Sequence, residues 1–272
     1  MKKILLGTTM IAGLTVAGAA QAADVPLKAP RAAPSVFSWA GFYIGVNAGG
    51  AWSHDALSTT TVFSPTGYFA ASSVPAINAV GQQRIHASGF TGGGQAGYNW
   101  QSGSIVLGVE ADINYLGTRG STSGSALYPC CAPTGFTVAA SMQSGWLFTA
   151  RPRIGWASNN WLFYVTGGVA VGEVKGSFTF TDTFATALES ASISKTRSGW
   201  TLGGGVEVAV AGPWSFKVEY LHVDLGSAST TSTNLTAFTP AIAFPTNVYT
   251  HSADLKSDIV RAGLNYRFGG PY

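Results

Sequence analysis

The sequence predicts an all-β chain: an eight-stranded antiparallel up-and-down transmembrane β-barrel. Three observations carry this. From Gly41 onward, segments of about 10 to 15 residues alternate apolar with small or polar side chains, the period-two signature of strands with one face toward lipid. The connections between these segments alternate short and long. Aromatic residues gather at both ends of the segments, as at the two interfaces of a bilayer.

Composition agrees with this reading. Charged residues are 10% of the 272 and hydrophobic residues 46%, against about 25% charged in ordinary globular chains. Past the N-terminal segment, no stretch is apolar for the roughly 18 residues that a spanning helix requires. That segment reads as a signal peptide over residues 1–22. Lys2 and Lys3 precede an uncharged run over residues 4–20, and Ala20-Gln21-Ala22 has the small-x-small form of a cleavage site. Its removal leaves 13 basic and 12 acidic residues, a balance without the basic patch that a nucleic-acid partner would need. Residues 23–39, with Pro26, Pro30 and Pro34, read as an extended periplasmic linker. The barrel is expected over residues 40–268, with a C-terminal extension over 269–272.

The strands follow in order. Phe42, Ile44, Val46, Ala48 and Trp52 share one parity in the first, opposite Tyr43 and Asn47. The second carries Phe90, Ala96, Tyr98 and Trp100 opposite Thr91, Gln95 and Asn99. In the third, Ile105, Leu107, Val109, Ala111, Ile113 and Tyr115 alternate with Glu110, Asp112 and Asn114. The fourth sets Trp146, Phe148, Ala150, Ile154 and Trp156 against Thr149, Arg151 and Arg153, with Pro152 marking a bulge or an unpaired donor position. The fifth runs from Trp161 through Phe163, Val165 and Val169. Trp200, Leu202, Val206 and Val208 face away from Thr201 and Glu207 in the sixth, and Trp214, Phe216, Val218 and Tyr220 from Ser215, Lys217 and Glu219 in the seventh. The last places Val260, Ala262, Leu264, Tyr266 and Phe268 opposite Arg261, Asn265 and Arg267. Tight turns are expected at residues 101–103, 157–160 and 211–213. Long Ser/Thr/Ala/Gly-rich loops are expected at 53–85, 118–141, 177–197 and 226–253. Short turns belong to the periplasmic side of such barrels and long loops to the outside, so both termini are expected in the periplasm.

A soluble barrel would carry the same alternation with its apolar parity inward. The aromatics decide between the two. Trp100, Trp156, Trp161, Trp214 and Phe268 fall at the turn ends, and Trp52, Phe90, Tyr115, Trp146, Trp200 and Tyr220 at the loop ends, forming two girdles. The apolar parity therefore faces outer-membrane lipid. Glu110, Asp112, Glu207, Glu219, Arg151, Arg153, Lys217, Arg261 and Arg267 then face the lumen. An eight-stranded barrel is only wide enough for side chains to fill it, so these charges are expected to pair as a plug rather than to line an ion path.

No chemistry stands out. His54, His86, His222 and His251 fall in loops or at loop-side strand ends, a candidate rim cluster for metal, haem or lipid hydrolysis, but no HExxH spacing occurs. There is no GxSxG, and Ser141 and Ser144 have no positioned base. Gly92-Gly93-Gly94 and Gly203-Gly204-Gly205 sit inside strands, where Gly marks bends or close backbone approach. The adjacent Cys130 and Cys131 are open to a vicinal disulfide, pairing between chains, or free thiols. No catalytic, cofactor-binding or metal residue is assigned.

The last strand, Arg261-Ala262-Gly263-Leu264-Asn265-Tyr266-Arg267-Phe268, has aromatics two apart at its end. With Trp39-Ala40-Gly41-Phe42-Tyr43-Ile44-Gly45 opening the first strand, and Val218-Glu219-Tyr220-Leu221 with Asp224-Leu225-Gly226 in the seventh, the chain resembles the small outer-membrane β-barrel family, OmpA-like and porin-family surface antigens. The resemblance covers residues 40–268. It implies insertion by the barrel assembly machinery with help from periplasmic chaperones, with Gly263, Tyr266 and Phe268 as the assembly signal. Many members end on the aromatic itself, whereas here Gly269-Gly270-Pro271-Tyr272 follows. The role expected is an integral surface protein supporting envelope integrity, with loops free for an unidentified extracellular ligand. The alternatives are a narrow porin for small solutes and a barrel enzyme acting on lipid A.

Overall fold

A computed structural model describes residues 37–269. The signal peptide, most of the linker and residues 270–272 lie outside the described residues. Among the described residues eleven strands form: β1 (Gly41–Thr61), β2 (Gln82–Ser102), β3 (Ile105–Leu116), β4 (Arg119–Leu127), β5 (Gly135–Ser158), β6 (Trp161–Asp182), β7 (Leu188–Ala211), β8 (Trp214–Ser232), β9 (Thr236–Ala237), β10 (Ile242–Ala243) and β11 (Tyr249–Arg267). One helix, α1 (Ser73–Val80), lies between β1 and β2. The antiparallel pairings run β1–β2–β3–β5–β6–β7–β8–β11 and return from β11 to β1. The sheet closes on itself, so these long strands leave no free edge to template aggregation.

The count differs from the eight expected because of β4, β9 and β10. β4 continues the line of β3 after an interruption at Gly117-Thr118 and pairs with β2 and β5. β9 and β10 are two-residue pieces paired to each other. Three tight connections fall where the sequence places them, each using a left-handed residue: Gly103 (φ 59°), Asn159 (φ 54°) and Gly212 (φ 52°). Pro152 makes no bulge. The β5–β6 ladder omits Arg151 and Pro152, then resumes in the same register at Arg153↔Thr166. The register shift in β5 lies instead between Ser144 and Leu147.

The main departure concerns the long loops. Most of residues 118–141, 177–197 and 226–253, and 53–61 and 82–85 of the first loop, are strand, extending the barrel well past the loop-end girdle. From Val171 to Asp182 on β6 the extension is roughly 25 Å, at about 3.3 Å per residue and a tilt near 40°. Alternation continues there with its meaning reversed. Leu57, Ile85, Leu116, Met142, Val174, Phe178, Ile193, Leu221, Val223 and Leu255 point inward as one apolar core. The outward positions become Ser121, Ser123, Ser141, Ser177, Ser190 and Ser192, all exposed or half-buried. Below the girdle the outward residues Ile44, Val46, Leu107, Ile113, Val165 and Leu202 are 45–64% exposed, as a lipid-facing belt requires. The barrel is thus inside-out at membrane level and a water-soluble barrel above it.

True connections at that end are residues 62–81, 128–134, 183–187 and 233–248. They fold over the mouth: Ile77 of α1 joins Phe69, Tyr128, Phe136, Phe180, Leu235 and Tyr249 in a second apolar cluster. Asp182 ties the lid together. It accepts the hydroxyls of Tyr68 (2.5 Å) and Tyr128 (2.9 Å) on one oxygen and the amides of Ala185 and Ala187 on the other. Burial and the neighbouring carboxylate push both phenols well above their usual range, so they remain donors. Cys130 and Cys131 at the tip of the β4–β5 connection are bonded to each other.

In lipid vesicles, a spin label at Ser177→Cys is expected to be relaxed by a water-soluble nickel complex. One at Val165→Cys is expected to respond to oxygen instead. Both variants replace the native cysteines with Ser. Equal lipid exposure at both positions would contradict the two-level barrel.

Candidate functional site

The lumen at membrane level is built from inward residues of every long strand, and it forms three layers. The floor, at the turn end, is Trp39, Val106, Ala157, Leu162 and Tyr164. Trp39, read from sequence as the end of a linker, belongs to the barrel. It is 1% exposed, its amide donates to Gln101 Oε1 (2.6 Å), and its carbonyl accepts from Asn99 Nδ2 (3.1 Å). Arg267 lies here too, its guanidinium 4.1 Å from the Phe37 ring and 5.8 Å from that of Trp39. The third layer is the apolar core above.

Between them lies the charge layer. Arg151 reaches three carboxylates: Glu110 (2.8 Å), Asp112 (2.7 Å) and Glu219 (3.2 Å). Arg261 bridges Asp112 (3.0 Å) and Glu219 (2.6 Å). Lys217 Nζ donates to both oxygens of Glu110, at 2.8 and 3.0 Å. Arg153 contacts Glu207 (3.3 Å) and Glu110 (3.6 Å), and its Nε donates to Asn99 Oδ1 (2.9 Å). Four carboxylates and four cations are thus joined without a break, each residue no more than 4% exposed. Buried ions are tolerated only when paired and hydrogen-bonded, and the remaining lone pairs find donors. Tyr43 donates to Glu110 (2.8 Å), Tyr164 to Glu219 (3.0 Å), Thr149 to Asp112 (2.7 Å) and Asn265 to Glu207 (2.8 Å).

Eight of the nine lumenal charges named from sequence meet in this network, and Arg267 sits below it against the floor aromatics. The uncharged partners were visible only as a polar parity, not as a network. Tyr43 and Tyr164 were the least legible, because an inward tyrosine in a narrow barrel needs an empty position opposite. Gly97 and Gly205 supply it. A Cβ on Gly97 would lie 2.2 Å from Tyr43 Oη, and one on Gly205 2.6 Å from Tyr164 Oη. The glycine-rich strands therefore leave space for the hydroxyls that satisfy Glu110 and Glu219.

The girdle residues Trp52, Trp100, Trp156, Trp161, Trp200 and Trp214 face outward at 43–54% exposure. Trp146 is half-buried beside the β5 register shift. Tyr266 and Phe268 pack against each other (ring centroids 4.9 Å), against Trp214 and against Phe42 at the turn end. Gly263 lies on the inward parity, with Lys217 and Gln95 next to it. The histidines do not form one cluster. His54, His86 and His222 face outward just above the girdle, where Asp258 accepts from Tyr220 (2.6 Å), contacts His222 Nδ1 (2.8 Å) and lies 3.9 Å from His54. His251 is buried in the upper barrel against Glu189 (3.2 Å) and Thr59 (3.0 Å). Among the described residues no group of three or more His, Cys, Asp or Glu is arranged to hold a metal ion.

Residues 9–268 match the family described as outer membrane protein beta-barrel domain. The chain is 35% identical to the 31 kDa outer-membrane immunogenic protein of Brucella melitensis over 98% of this chain and all of that protein. It is 35% identical to a 22 kDa outer membrane protein of Rhizobium leguminosarum bv. viciae over 52% of this chain and 56% of that protein. Among solved structures, Neisserial surface protein A aligns over 84% of this chain and 97% of its own, with a TM-score of 0.34 and 16% identity.

Truncating one partner of the network strands a buried charge. Glu219→Gln is therefore expected to destabilise the refolded barrel by about 3–5 kcal/mol, read as a fall in the urea midpoint at unchanged m. Gly97→Ala, which displaces Tyr43 Oη, is expected to cost about 1–3 kcal/mol by the same measurement. No loss for either would mean that the layer is more hydrated than its burial indicates.

Proposed function

The chain belongs to the outer-membrane β-barrel family, and from that premise we propose that it is a sealed structural barrel, not a pore or an enzyme, displaying its upper half and lid on the cell surface. The observation that carries this reading is the filled lumen: aromatic floor, matched charge layer, apolar core and helical lid follow one another along the axis. A hollow at the level of the apolar core, lined by Ser53, Asp55, Met142 and Leu255, holds about 20 Å³, room for about one water molecule. A diffusive solute path needs more.

Orientation follows from chemistry at the two ends. The short turns, with the strand ends nearest both termini, face the periplasm, and the hydroxyl-covered extension faces the medium. Lipids of the outer membrane contact the belt and girdles. Gly263, Tyr266 and Phe268 present the end of β11 to the barrel assembly machinery, with periplasmic chaperones holding the unfolded chain. The enzymatic alternative draws on the His222–Asp258 pair at the outer interface. Fixed to Tyr220 on the outer wall, this pair serves better as an interfacial polar anchor than as a base with a substrate pocket.

Planar-bilayer recording of the refolded protein is expected to show no steps, or rare and very small ones. Steady, large, salt-proportional steps would contradict the sealed lumen. In cells, His222→Ala is expected to leave the lipid A profile unchanged, and a changed profile would favour the enzymatic reading.

A further inference from the structure

The lid carries an exposed aromatic surface that sealing the barrel does not require. Tyr68, half-buried, sits at its centre, with ring centroids 6.4 Å from Phe184, 6.2 Å from Phe238 and 5.3 Å from the half-buried Phe244. Phe184 and Phe238 are 54% and 44% exposed, and Ile242 on the same connection as Phe238 is 53% exposed. This surface stands roughly 25 Å beyond the outer girdle by the strand rise and tilt above, too far to be lipid-facing. Contiguous exposed apolar surface of that kind marks a binding site.

The platform is held rigid. Phe238 has φ 71° and Thr186 φ 53°, left-handed conformations that side chains larger than Gly adopt at a cost, and such strain clusters at functional sites. The Phe238 amide donates to Ala185 O (2.7 Å), docking one connection on another. Asp182 fixes Tyr68 and the turn that carries Phe184. Next to Phe184, Thr183 opens a groove of about 490 Å³ lined by Ser125, Thr137, Thr181, Leu127, Pro133 and the half-buried Asp182.

The partner's chemistry follows from charge. Residues 62–80, 128–134, 183–187 and 233–248 contain no Asp, Glu, Lys, Arg or His, and the carboxylate that lines the groove, Asp182, already accepts from two phenols and two amides. An anionic partner would lose hydration here and gain no counter-charge, and a cationic one would meet only a carboxylate whose oxygens are already hydrogen-bonded. Ring faces flanked by hydroxyls, which both donate and accept, suit a molecule with apolar C–H faces edged by hydroxyls. We propose that the aromatic apex and its hydroxyl groove form a binding site for a neutral glycan. Its pyranose faces stack on Tyr68, Phe184 and Phe238, and its hydroxyls enter the groove. The inference goes beyond the sealed-barrel reading and takes from it only that the apex faces the medium.

The test is an array of neutral and acidic glycans probed with the full, detergent-solubilised protein, whose binding does not depend on insertion direction. Neutral glycans are expected to be retained equally at low and high salt. Retention is expected to fall at least tenfold in Phe184→Ser and in Phe238→Asn, the latter because Asn accepts positive φ. Both positions are exposed, so unchanged heat-modifiable gel mobility certifies the fold. Acidic glycans retained in preference and released by salt would overturn the proposal, as would no retention at all by the folded protein. Light scattering that shows a dimer dispersed by Phe184→Ser, with no glycan retained, would overturn it in favour of self-association at the apex. Surface labelling of intact cells at Thr239→Cys separately checks the orientation.

Discussion

Arg151 is held by three carboxylates in a space closed to bulk solvent, and each of those carboxylates is held in turn by a second cation or a hydroxyl. Removing such charges from water is unfavourable by several kcal/mol per ion unless the pairing is nearly complete. The network therefore constrains everything around it. Register must bring Glu110 opposite Arg151 and Glu219 opposite Arg261, as the β3–β5 and β8–β11 pairings do. A one-residue slip would send those charges into lipid. The charges thus act less as a source of stability than as a lock on register, with lipid outside and a narrow lumen inside as its two walls.

Above the girdle the same strands solve a different problem. Solvent outside is now water, so the inward parity turns apolar and the outward parity turns to Ser and Thr. No strand ends at the change in β6, which carries Val165 outward in lipid and Phe178 inward above it. A rigid stalk results, raising the lid and its uncharged aromatic face well clear of the bilayer.

How far the sequence discloses this depends on which signal each element carries. The membrane-level strands are legible because a bulky apolar parity sustained over about ten residues suits a strand with one face in lipid and little else. The lumenal charges follow from that parity alone. The upper strands read as loops, because Ser, Thr, Ala and Gly dominate residues 118–141 and 177–197. Ser and Gly favour turns and Ala favours helix, and closure of the ring makes these segments strand. Phe178 and Phe180, two apart, are the trace of the hidden core. Trp39 is legible as part of the motif that opens the first strand, but its burial in the floor is not, because it follows three prolines and precedes the first ladder residue. The aromatic apex is not legible at all, since Tyr68, Phe184 and Phe238 come from three connections that only the closed ring brings together.

A double-mutant cycle on Glu219 and Arg261 tests the central claim, that the lumenal charges hold one another rather than being separately hydrated. The account predicts that Glu219→Gln and Arg261→Met are each strongly destabilising in urea unfolding. It also predicts that the double variant loses much less than their sum, because neither charge is then left without its partner. Additive losses, or single variants close to wild type, would contradict it.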